Sequence, residues 1–264
     1  MKNNIKNNFM TFNLKYDFTS EGKDSWNLRC KKILNVIEKN NPICIGTQEG
    51  LIHMLSSIEK NLKNYSYIGK GREKGGGGEH NAIFYRNDVL DPIYWRQFWL
   101  SETPNIAGSK SWDTACERIC TYCKFKNKLT NEEFILYNTH LDHESQLARV
   151  KGIELIIKTI KENYMREGIK FILMGDFNCY LDDEVFQVIS KEKSKEFQIK
   201  NLYNEFNHNI LGTFHDFKGG FEGGIIDYIL VSKEIGCSNL YIDSRKIDDS
   251  YPSDHYALIG TLKL

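Results

Sequence analysis

The sequence predicts an α/β fold in which two β-sheets pack face to face and helices cover their outer surfaces. Short apolar runs typical of strands recur from residue 8 to residue 263, and they alternate without a break with a few segments of helical periodicity. So few helices cannot cover one large sheet, so two sheets that bury each other's inner faces are the natural solution. With 264 residues, 41% of them hydrophobic, the chain can bury a large core, and we expect one domain, 1–264.

The expected elements follow from apolar alternation for strands and a period near 3.6 for helices. In chain order, strands are expected at 8–14, 43–48, 65–69, 81–86, 92–100, 118–126, 133–139, 170–174, 225–231, 237–242 and 256–263. Helices are expected at 25–39, 51–60 and 144–163, with a weakly helical region at 182–200. The third helix is well defined, because Leu147, Val150, Ile153 and Ile157 cluster on one side of it with charge opposite.

Polar side chains stand at the ends of these apolar strands along the whole chain. They are Asn13, Glu49, His140, Asp176, Asn178, Asp227, Asp254 and His255. Because the ends of buried strands in an α/β fold converge on one rim, we expect these side chains to line a single crevice. Such a set of carboxylates, amides and imidazoles fits the binding of a hard divalent cation and the attack of water on phosphorus.

Nine short motifs spread over almost the whole chain carry a family resemblance. They are TFNLKYD (11–17), TQE (47–49), GGEHNAIFYR (77–86), FWLSETP (98–104), ERICTYCKF (117–125), NTHLDH (138–143), GDFN (175–178), IDYILVS (226–232) and SDH (253–255). In this order they resemble the endonuclease/exonuclease/phosphatase superfamily, Mg²⁺-dependent phosphoesterases that include pancreatic-type deoxyribonuclease, apurinic-site endonucleases, neutral sphingomyelinases and poly(A) deadenylases. GDFN followed by SDH is the specific pair, while FWLSETP and NTHLDH resemble a bacterial-type group of undefined substrate. The resemblance implies a deoxyribonuclease-I-like, four-layered α/β sandwich.

The resemblance implies a metal site at Glu49, because family members use the glutamate of this QE motif as a direct ligand. Glu49 follows a largely apolar run, so it either caps the next helix or holds a cation. The resemblance also places Asn13 beside Glu49, although an amide at a strand end often only bridges two loops. We expect Glu49, helped by Asn13 and Asp254, to hold one Mg²⁺, for which Mn²⁺ would substitute.

The GDFN turn is the family's core signature, and Gly175 lets its backbone turn close to the site. The alternative is an Asx-turn in which Asp176 and Asn178 merely hold the loop. The continuously apolar strand before them favours a catalytic role, as do the family motifs. We expect Asp176 to orient and deprotonate the attacking water, and Asn178 to fix that water or a phosphate oxygen.

Two histidines receive catalytic roles from their motifs. In the family the aspartate of IDYI, here Asp227, orients the histidine of SDH, here His255, which raises the imidazole pKa and keeps it a cationic donor to the phosphoryl oxygen. His140 is expected opposite it near the leaving group, with Glu79 as its carboxylate partner. The remaining histidines without such motifs are expected to be surface or packing residues: His53, His80 and His208.

Arg118 and Asp142 are candidates for substrate binding. Arg118 begins a strand in the stretch where family members carry a phosphate-binding arginine, but a pair with Glu117 or Asp113 is the structural alternative. Asp142 lies two residues after His140 and so shares its rim, where it contacts metal or substrate, or else it is a surface residue.

His215, in GTFHDF, is a loop residue beside the predicted site and is a further candidate for contact with substrate. The insertion 101–115 is expected to form the specificity wall, flanked by Trp99 and Trp112. These two rings either stack on a base or belong to the core.

The charge balance argues against a large nucleic-acid surface. Lys+Arg and Asp+Glu number 35 each, so the formal net charge is zero. Nonspecific binding of nucleic acid usually needs an excess of basic residues. A local basic patch would keep nucleic acid open as a partner. The amino terminus has no apolar signal core and no stretch has the length of a membrane span, so we expect a cytoplasmic monomer that does not enter a membrane.

The chain has seven cysteines, an odd number, and is large enough to fold without disulfide bonds, so we expect reduced thiols. Cys116, Cys120 and Cys123 lie close together, but no fourth ligand has zinc-like spacing. Cys120 and Cys123 fall in one expected strand, where they would point to opposite faces. We expect all three to be packing residues.

The predicted activity is metal-assisted hydrolysis of a phosphoester by water, since no serine, threonine or cysteine stands in a nucleophile motif. A small phosphodiester or phosphomonoester is the favoured substrate. Alternatives are a nuclease acting on DNA or RNA, a lipid phosphodiesterase and a non-catalytic binding relative. The last is disfavoured by the intact set Glu49, Asp176, Asn178, Asp254 and His255.

Overall fold

The computed structural model describes residues 6–19, 21–206 and 210–264, in which twelve strands form two six-stranded sheets. The strands are β1 (Asn8–Asn13), β2 (Cys44–Gln48), β3 (Tyr65–Ile68), β4 (Ile83–Arg86), β5 (Leu90–Trp99), β6 (Ile119–Asn127), β7 (Glu133–His140), β8 (Lys170–Asp176), β9 (Ile199–Asn201), β10 (Asp227–Ser232), β11 (Gly236–Asp243) and β12 (Ala257–Lys263). The first sheet has the order β11-β12-β1-β2-β4-β3 and the second β5-β6-β7-β8-β10-β9. Both are mixed, since β1 and β2 are parallel, as are β7 and β8, while the other pairs are antiparallel.

The helices of the described residues lie on the outer faces of the two sheets, except for the short turn at residues 203–206, which packs against the apolar cluster between the sheets. They are α1 (Trp26–Asn40), α2 (Ile52–Asn61), α3 (Gln146–Glu167), α4 (Glu184–Lys191) and the single turn α5 (Tyr203–Phe206). One apolar cluster joins α1 and α2 to the first sheet, a second joins α3 and α4 to the second sheet, and a third lies between the sheets. The predicted four-layered α/β sandwich is therefore confirmed.

The first strand shows how the sequence builds these layers. Phe9 points into the space between the sheets and meets Phe134 of β7 edge-to-face at 5.4 Å between ring centres. Met10 and Phe12 point the other way and pack with the apolar stripe of α1. Side chains alternate between the two faces of a strand, so a strand that is buried on both faces is apolar throughout.

A buried polar contact fixes the two sheets to each other close to one edge. Asn138 of β7 donates from Nδ2 to the carbonyl oxygens of Thr47 and Ala82, both at 2.9 Å, and Gln48 Nε2 donates to Asn138 Oδ1 at 2.7 Å. Gly46 is needed for this approach, because a Cβ there would lie 2.7 Å from Asn138 Oδ1. The carboxyl ends of β2 and β7 are thereby held side by side.

Strands of both sheets meet at this edge. β1, β2, β7 and β8 end there, and β10 and β12 begin there because they run antiparallel to β8 and β1. In the second sheet His140 and Asp227 are both paired in register with Asp176. The strand-end residues singled out in the sequence therefore share one rim.

Two stretches differ from the expected elements. Within 182–200 only α4 is helical, and residues 199–201 form β9, because the free edge of β10 offers backbone partners and Ile199 is buried there. The long helix α3 continues past residue 163 to Glu167 and ends where Gly168 takes a left-handed φ of 67°. His208 lies outside the described residues.

The cysteines are free thiols, and the expectation for the strand pair is confirmed, because Cys120 packs toward α3 and Cys123 toward the first sheet. Cys116 differs, since it is half-buried and borders a cleft at the strand-end rim instead of packing in the core. Over the described ranges, no helix has both the length and the apolar composition that crossing a bilayer requires.

Candidate active site

Asp176, the last residue of β8, lies at the centre of the rim. Its Oδ2 accepts a hydrogen bond from Asn13 Nδ2 at 2.9 Å and lies 3.5 Å from His140 Nε2 and 3.6 Å from His255 Nε2. The side chain is 1% exposed, and burial, followed by the negative charge of Asp227, raises its pKa above the usual range. One carboxylate oxygen thus faces two imidazoles at the entrance of the cleft.

The turn after Asp176 combines the two functions that the sequence left as alternatives. Asp176 Oδ1 accepts from the backbone N–H of Asn178 at 2.9 Å, which is an Asx-turn, while Oδ2 remains directed at the histidines. Asn178 Nδ2 donates to the carbonyl oxygen of Leu141 at 3.0 Å, which ties this turn to the loop after β7. Gly175 is required, because a Cβ there would lie 2.0 Å from the carbonyl oxygen of Thr139.

His255 has the aspartate partner that the family motif implies. Its Nδ1 lies 2.8 Å from Asp227 Oδ2, and the backbone N–H of Asp227 donates to Thr213 Oγ1 at 3.1 Å. Burial alone would lower the pKa of His255, but the charges of Asp227 and Asp176 outweigh it and raise the pKa to about 10. His255 is therefore a cation at neutral pH, with Nε2 turned toward Asp176.

His140 differs from the expectation, because it does not pair with Glu79. Glu79 instead accepts two hydrogen bonds from Arg72, both at 2.9 Å, and among the described residues Nδ1 of His140 has no hydrogen-bond partner. Burial, and then the positive charges of Arg118 and Arg72, hold the pKa of His140 well below its usual value. His140 is therefore a neutral imidazole, while Glu79 fixes an arginine at the cleft.

Glu49 and Asp254 form the second acidic group of the rim. Glu49 has a left-handed backbone, with φ 59°, and Leu51 rather than Glu49 precedes α2, so Glu49 does not cap that helix. Its carboxylate instead accepts from Asn13 Nδ2 at 2.9 Å and from the backbone N–H of Tyr16 at 3.0 Å. Lys15 Nζ lies 3.0 Å from Asp254 Oδ2 and 4.0 Å from Glu49 Oε2.

Asn13 is a positioning residue in this geometry, and its role at the metal stays a prediction. Its Nδ2 bridges Glu49 and Asp176, and its Oδ1 accepts from the backbone N–H of Lys15 at 3.0 Å. The amide nitrogen thus uses both of its donors, while the amide oxygen has two lone pairs and can accept a second partner besides the Lys15 N–H. Asn13 therefore holds the two carboxylates at a fixed separation.

The donor chemistry of the rim fits a hard divalent cation. Glu49 and Asp254 offer carboxylate oxygens that converge on a single positive charge, the ammonium of Lys15. Asp176, Asp227 and His255 also bring ligand atoms within 4.8 Å of one another. In that group Nδ1 of His255 is already bonded to Asp227, so we favour the Glu49 and Asp254 pair as the cation site.

A cleft of about 760 Å³ opens above these residues. The predicted site residues in its lining are Glu49, Glu79, Arg118, His140, Asp176, Asn178, Asp254 and His255. It is also lined by Lys15, Tyr16, Arg72, Cys116, His143, Arg149, Cys179, Tyr180, Asp182, Asp183, Phe214, Gly223 and Ile226. Charges of both signs therefore face the same space. Such a lining suits a polar ligand that carries an anionic group and hydroxyls.

Asp142 supports this lining from behind, and its contact with metal or substrate stays a prediction. It is 1% exposed, is absent from the cleft surface, and accepts hydrogen bonds from Thr114 Oγ1 and from the backbone N–H of Ser145, both at 2.8 Å. Its Oδ2 also lies 3.3 Å from Arg118 Nε, so the pairs of Arg118 with Glu117 or Asp113 are not formed. Burial would raise the pKa of Asp142, but these donors and Arg118 lower it to about 2.

His215 and Trp112 do not line the cleft either. His215 is buried and stacks on Tyr256 at 4.0 Å between ring centres, and burial lowers its pKa to about 4. The carbonyl oxygen of Trp112 accepts from Ser145 Oγ at 2.7 Å, so the 101–115 insertion is tied to the start of α3. The wall of the cleft on this side begins after the insertion, with Cys116 and Arg118.

Arg29 of α1 is a supporting residue that the sequence analysis missed. It is fully buried, and its guanidinium donates to the carbonyl oxygens of Asp24 and Lys15, both at 2.7 Å, and of Pro252 at 3.2 Å. These bonds join the loop after β1 to the loop that carries Asp254. The available signal was a charged residue on the apolar stripe of the helix, one turn after Trp26.

Comparison with known proteins places this site in a family. The sequence profile of the Endonuclease/Exonuclease/phosphatase family matches residues 10–255. The structure of an endonuclease/exonuclease/phosphatase from Bacteroides vulgatus is similar, with a TM-score of 0.89 and 30% identity over 98% of this chain and 99% of that one. A mannosyl-6-phosphatase from Bacteroides thetaiotaomicron has a TM-score of 0.87 and 31% identity over 97% of this chain and 99% of its own.

A viral relative adds a similarity at the level of sequence. An uncharacterised protein of Acanthamoeba polyphaga mimivirus is 31% identical over 229 residues, which are 82% of this chain and 83% of that protein. The matched family segment runs from β1 to His255 and so includes both groups of rim residues. The chain belongs to the endonuclease/exonuclease/phosphatase family of phosphoesterases and nucleases.

Proposed function

We propose that this chain is a divalent-metal-dependent phosphoesterase that acts on a small polar phosphate ester. The observation that carries the proposal is the juxtaposition, at one rim, of Asp176 between two imidazoles and of Glu49 with Asp254. The first group supplies proton transfer and a fixed positive charge, and the second supplies oxygen ligands for Mg²⁺ or Mn²⁺. Metal-assisted attack of water on a phosphoester uses both groups.

The protein groups divide the reaction between them. Asp176 Oδ2, held by Asn13, orients and deprotonates the attacking water, and general base catalysis of this kind contributes about 10²–10⁴ in rate. The cationic Nε2 of His255 donates to a phosphoryl oxygen where charge develops, and the neutral His140 faces the leaving group. Glu49 and Asp254 would hold the divalent cation, which supplies Lewis-acid stabilisation of a nonbridging phosphoryl oxygen.

The charges of the cleft favour a compact substrate over a long nucleic-acid strand. Each arginine of its lining lies close to a carboxylate: Arg72 with Glu79 at 2.9 Å, Arg118 with Asp142 at 3.3 Å, and Arg149 with Asp183 at 3.8 Å. A strand of nucleic acid would need unpaired cations spaced along a groove. Paired arginines instead present fixed N–H donors beside carboxylate acceptors, which matches the hydroxyl groups of a sugar or polyol phosphate. The mannosyl-6-phosphatase relative supports this substrate class.

A nuclease is the second candidate, because exposed aromatic rings lie near the cleft. Tyr16 and Phe18, which are 40% and 47% exposed, lie on one side of the rim, and Tyr180, 55% exposed, lies in the cleft lining. Exposed aromatic rings near a phosphoesterase site can stack on bases. The same rings can also cover the apolar face of a pyranose, so they do not separate the two substrates.

A substrate panel tests the proposal. Mannose 6-phosphate, glucose 6-phosphate, a dinucleotide, single-stranded DNA and RNA should be incubated with the protein and Mg²⁺, with an EDTA blank and an Asp176→Asn preparation to detect contaminating hydrolases. We expect Mg²⁺-dependent release of inorganic phosphate from a sugar phosphate. Faster cleavage of DNA or RNA would establish the nuclease instead. Equal hydrolysis by the Asp176→Asn preparation would contradict both.

A further inference from the structure

The ammonium of Lys15 lies where a divalent cation held by Glu49 and Asp254 would bind. Lys15 is the second residue after β1, lines the cleft, and places Nζ 3.0 Å from Asp254 Oδ2 and 4.0 Å from Glu49 Oε2. Its side chain is 28% exposed, so the ammonium has room to move into the cleft. A divalent ion bound by the same carboxylates would come within a few ångströms of this charge and repel it.

The backbone conformation and hydrogen bonds of Lys15 hold this residue close to Asp254. Lys15 has a left-handed φ of 51°, which a lysine adopts only when its surroundings enforce it. Its N–H donates to Asn13 Oδ1 at 3.0 Å, and its carbonyl oxygen accepts from Arg29 Nη2 at 2.7 Å. Arg29 also donates to the carbonyl oxygen of Pro252, close in the chain to Asp254. Lysine and carboxylate are thus anchored by the same arginine.

We propose that Lys15 is a tethered cation that competes with the divalent ion for Glu49 and Asp254 and is released by the anionic substrate. This inference rests on the proposed function. When a divalent ion binds, Nζ of Lys15 must leave Asp254. Its flexible four-carbon stem lets the ammonium reach a new partner, a phosphoryl dianion in the cleft. Metal and anion therefore bind cooperatively, each increasing the affinity for the other by the same factor.

The test is a binding measurement that needs no turnover. Mn²⁺ affinity is measured by electron paramagnetic resonance with and without sulfate, a tetrahedral dianion that leaves Mn²⁺ soluble. In sulfate-free buffer Lys15→Met should bind Mn²⁺ roughly tenfold more tightly than the parent protein, a change within the usual range of site coupling. Sulfate should tighten Mn²⁺ binding by the parent protein and have a smaller effect on Lys15→Met.

Two variants control the measurement, and circular dichroism verifies their folds. Lys15→Arg keeps the charge and should retain the weaker Mn²⁺ binding, while Lys39→Met removes an exposed lysine from the last turn of α1 and should match the parent protein. Absence of Mn²⁺ binding by the parent protein would overturn the proposed function itself. Mn²⁺ binding by the parent with unchanged or weaker binding by Lys15→Met would overturn only the role of Lys15.

Discussion

His140 and His255 face the same oxygen of Asp176 at almost the same distance, 3.5 Å and 3.6 Å, yet they carry different charges. Both are buried, so burial alone would lower the pKa of each. His255 has Asp227 at 2.8 Å and becomes a cation, whereas His140 has no such partner among the described residues and faces Arg118 and Arg72. The comparison teaches that the charged groups next to each ring, and not the extent of its burial, set its protonation state. His255 is therefore a cationic donor on one side of the cleft, and His140 is a neutral ring on the other.

Removal of the divalent ion should have the largest effect on activity, although the two histidines keep their different charges without it. We expect protein treated with EDTA to lose hydrolysis to the level of the blank, because neither histidine can replace the charge that Glu49 and Asp254 would bind. Mg²⁺ or Mn²⁺ should restore turnover, and Ca²⁺ should restore less, since it prefers a larger and more flexible coordination sphere. Undiminished hydrolysis in excess EDTA would show that the two histidines act without metal.

Removing the Asp176 carboxylate that both histidines face should have the next largest effect. Asp176→Asn preserves the shape of the side chain but removes the base, so kcat should fall by at least the ~10² of a lost general base. Asp91→Asn, an exposed position on β5, is a matched control and should keep parental kcat. Near-parental turnover of a folded Asp176→Asn protein, as judged by circular dichroism, would assign the base to another residue.

Removing the carboxylate partners of His255 and of Arg72 should separate kcat from KM. Asp227→Asn takes away the partner of His255, and kcat should fall by about 10² because transition-state stabilisation is lost. Glu79→Gln disturbs Arg72 rather than His140, so the main change should be a rise in KM of roughly tenfold. Steady-state kinetics of the two variants decide, and a loss of kcat in Glu79→Gln equal to that in Asp227→Asn would restore the expected pairing with His140.

The smallest effect is spectroscopic and requires no substrate. In metal-free protein at pH 8, ¹⁵N chemical shifts should show His255 with both ring nitrogens protonated and His140 as a neutral ring, because the pKa of His255 is raised to about 10 and that of His140 is lowered. Asp227→Asn should convert His255 toward the neutral form. A neutral His255 in the parent protein would remove the charge difference on which the comparison rests.

Much of the fold and of the site could be read from local sequence. Apolar alternation identified the strands, and the position of polar residues directly after them identified a common rim, because strand ends in a sheet are necessarily neighbours. β9 was missed because a three-residue strand has too little pattern to distinguish it from a helix end, and only pairing with β10 defines it. The cytoplasmic location and the monomeric state stay predictions.

The sequence by itself determined which chemical groups are present at the rim: carboxylates, amides and imidazoles in family motifs that end or begin strands. Only the tertiary structure decided how they pair. It joined Glu79 to Arg72, Asp142 to Arg118 and Lys15 to Asp254, and it placed the amide nitrogen of Asn13 as a donor between two carboxylates. The physical reason is that a side chain's protonation and contacts depend on groups tens to hundreds of residues away in the chain. Sequence spacing within a single strand or loop does not contain those distances.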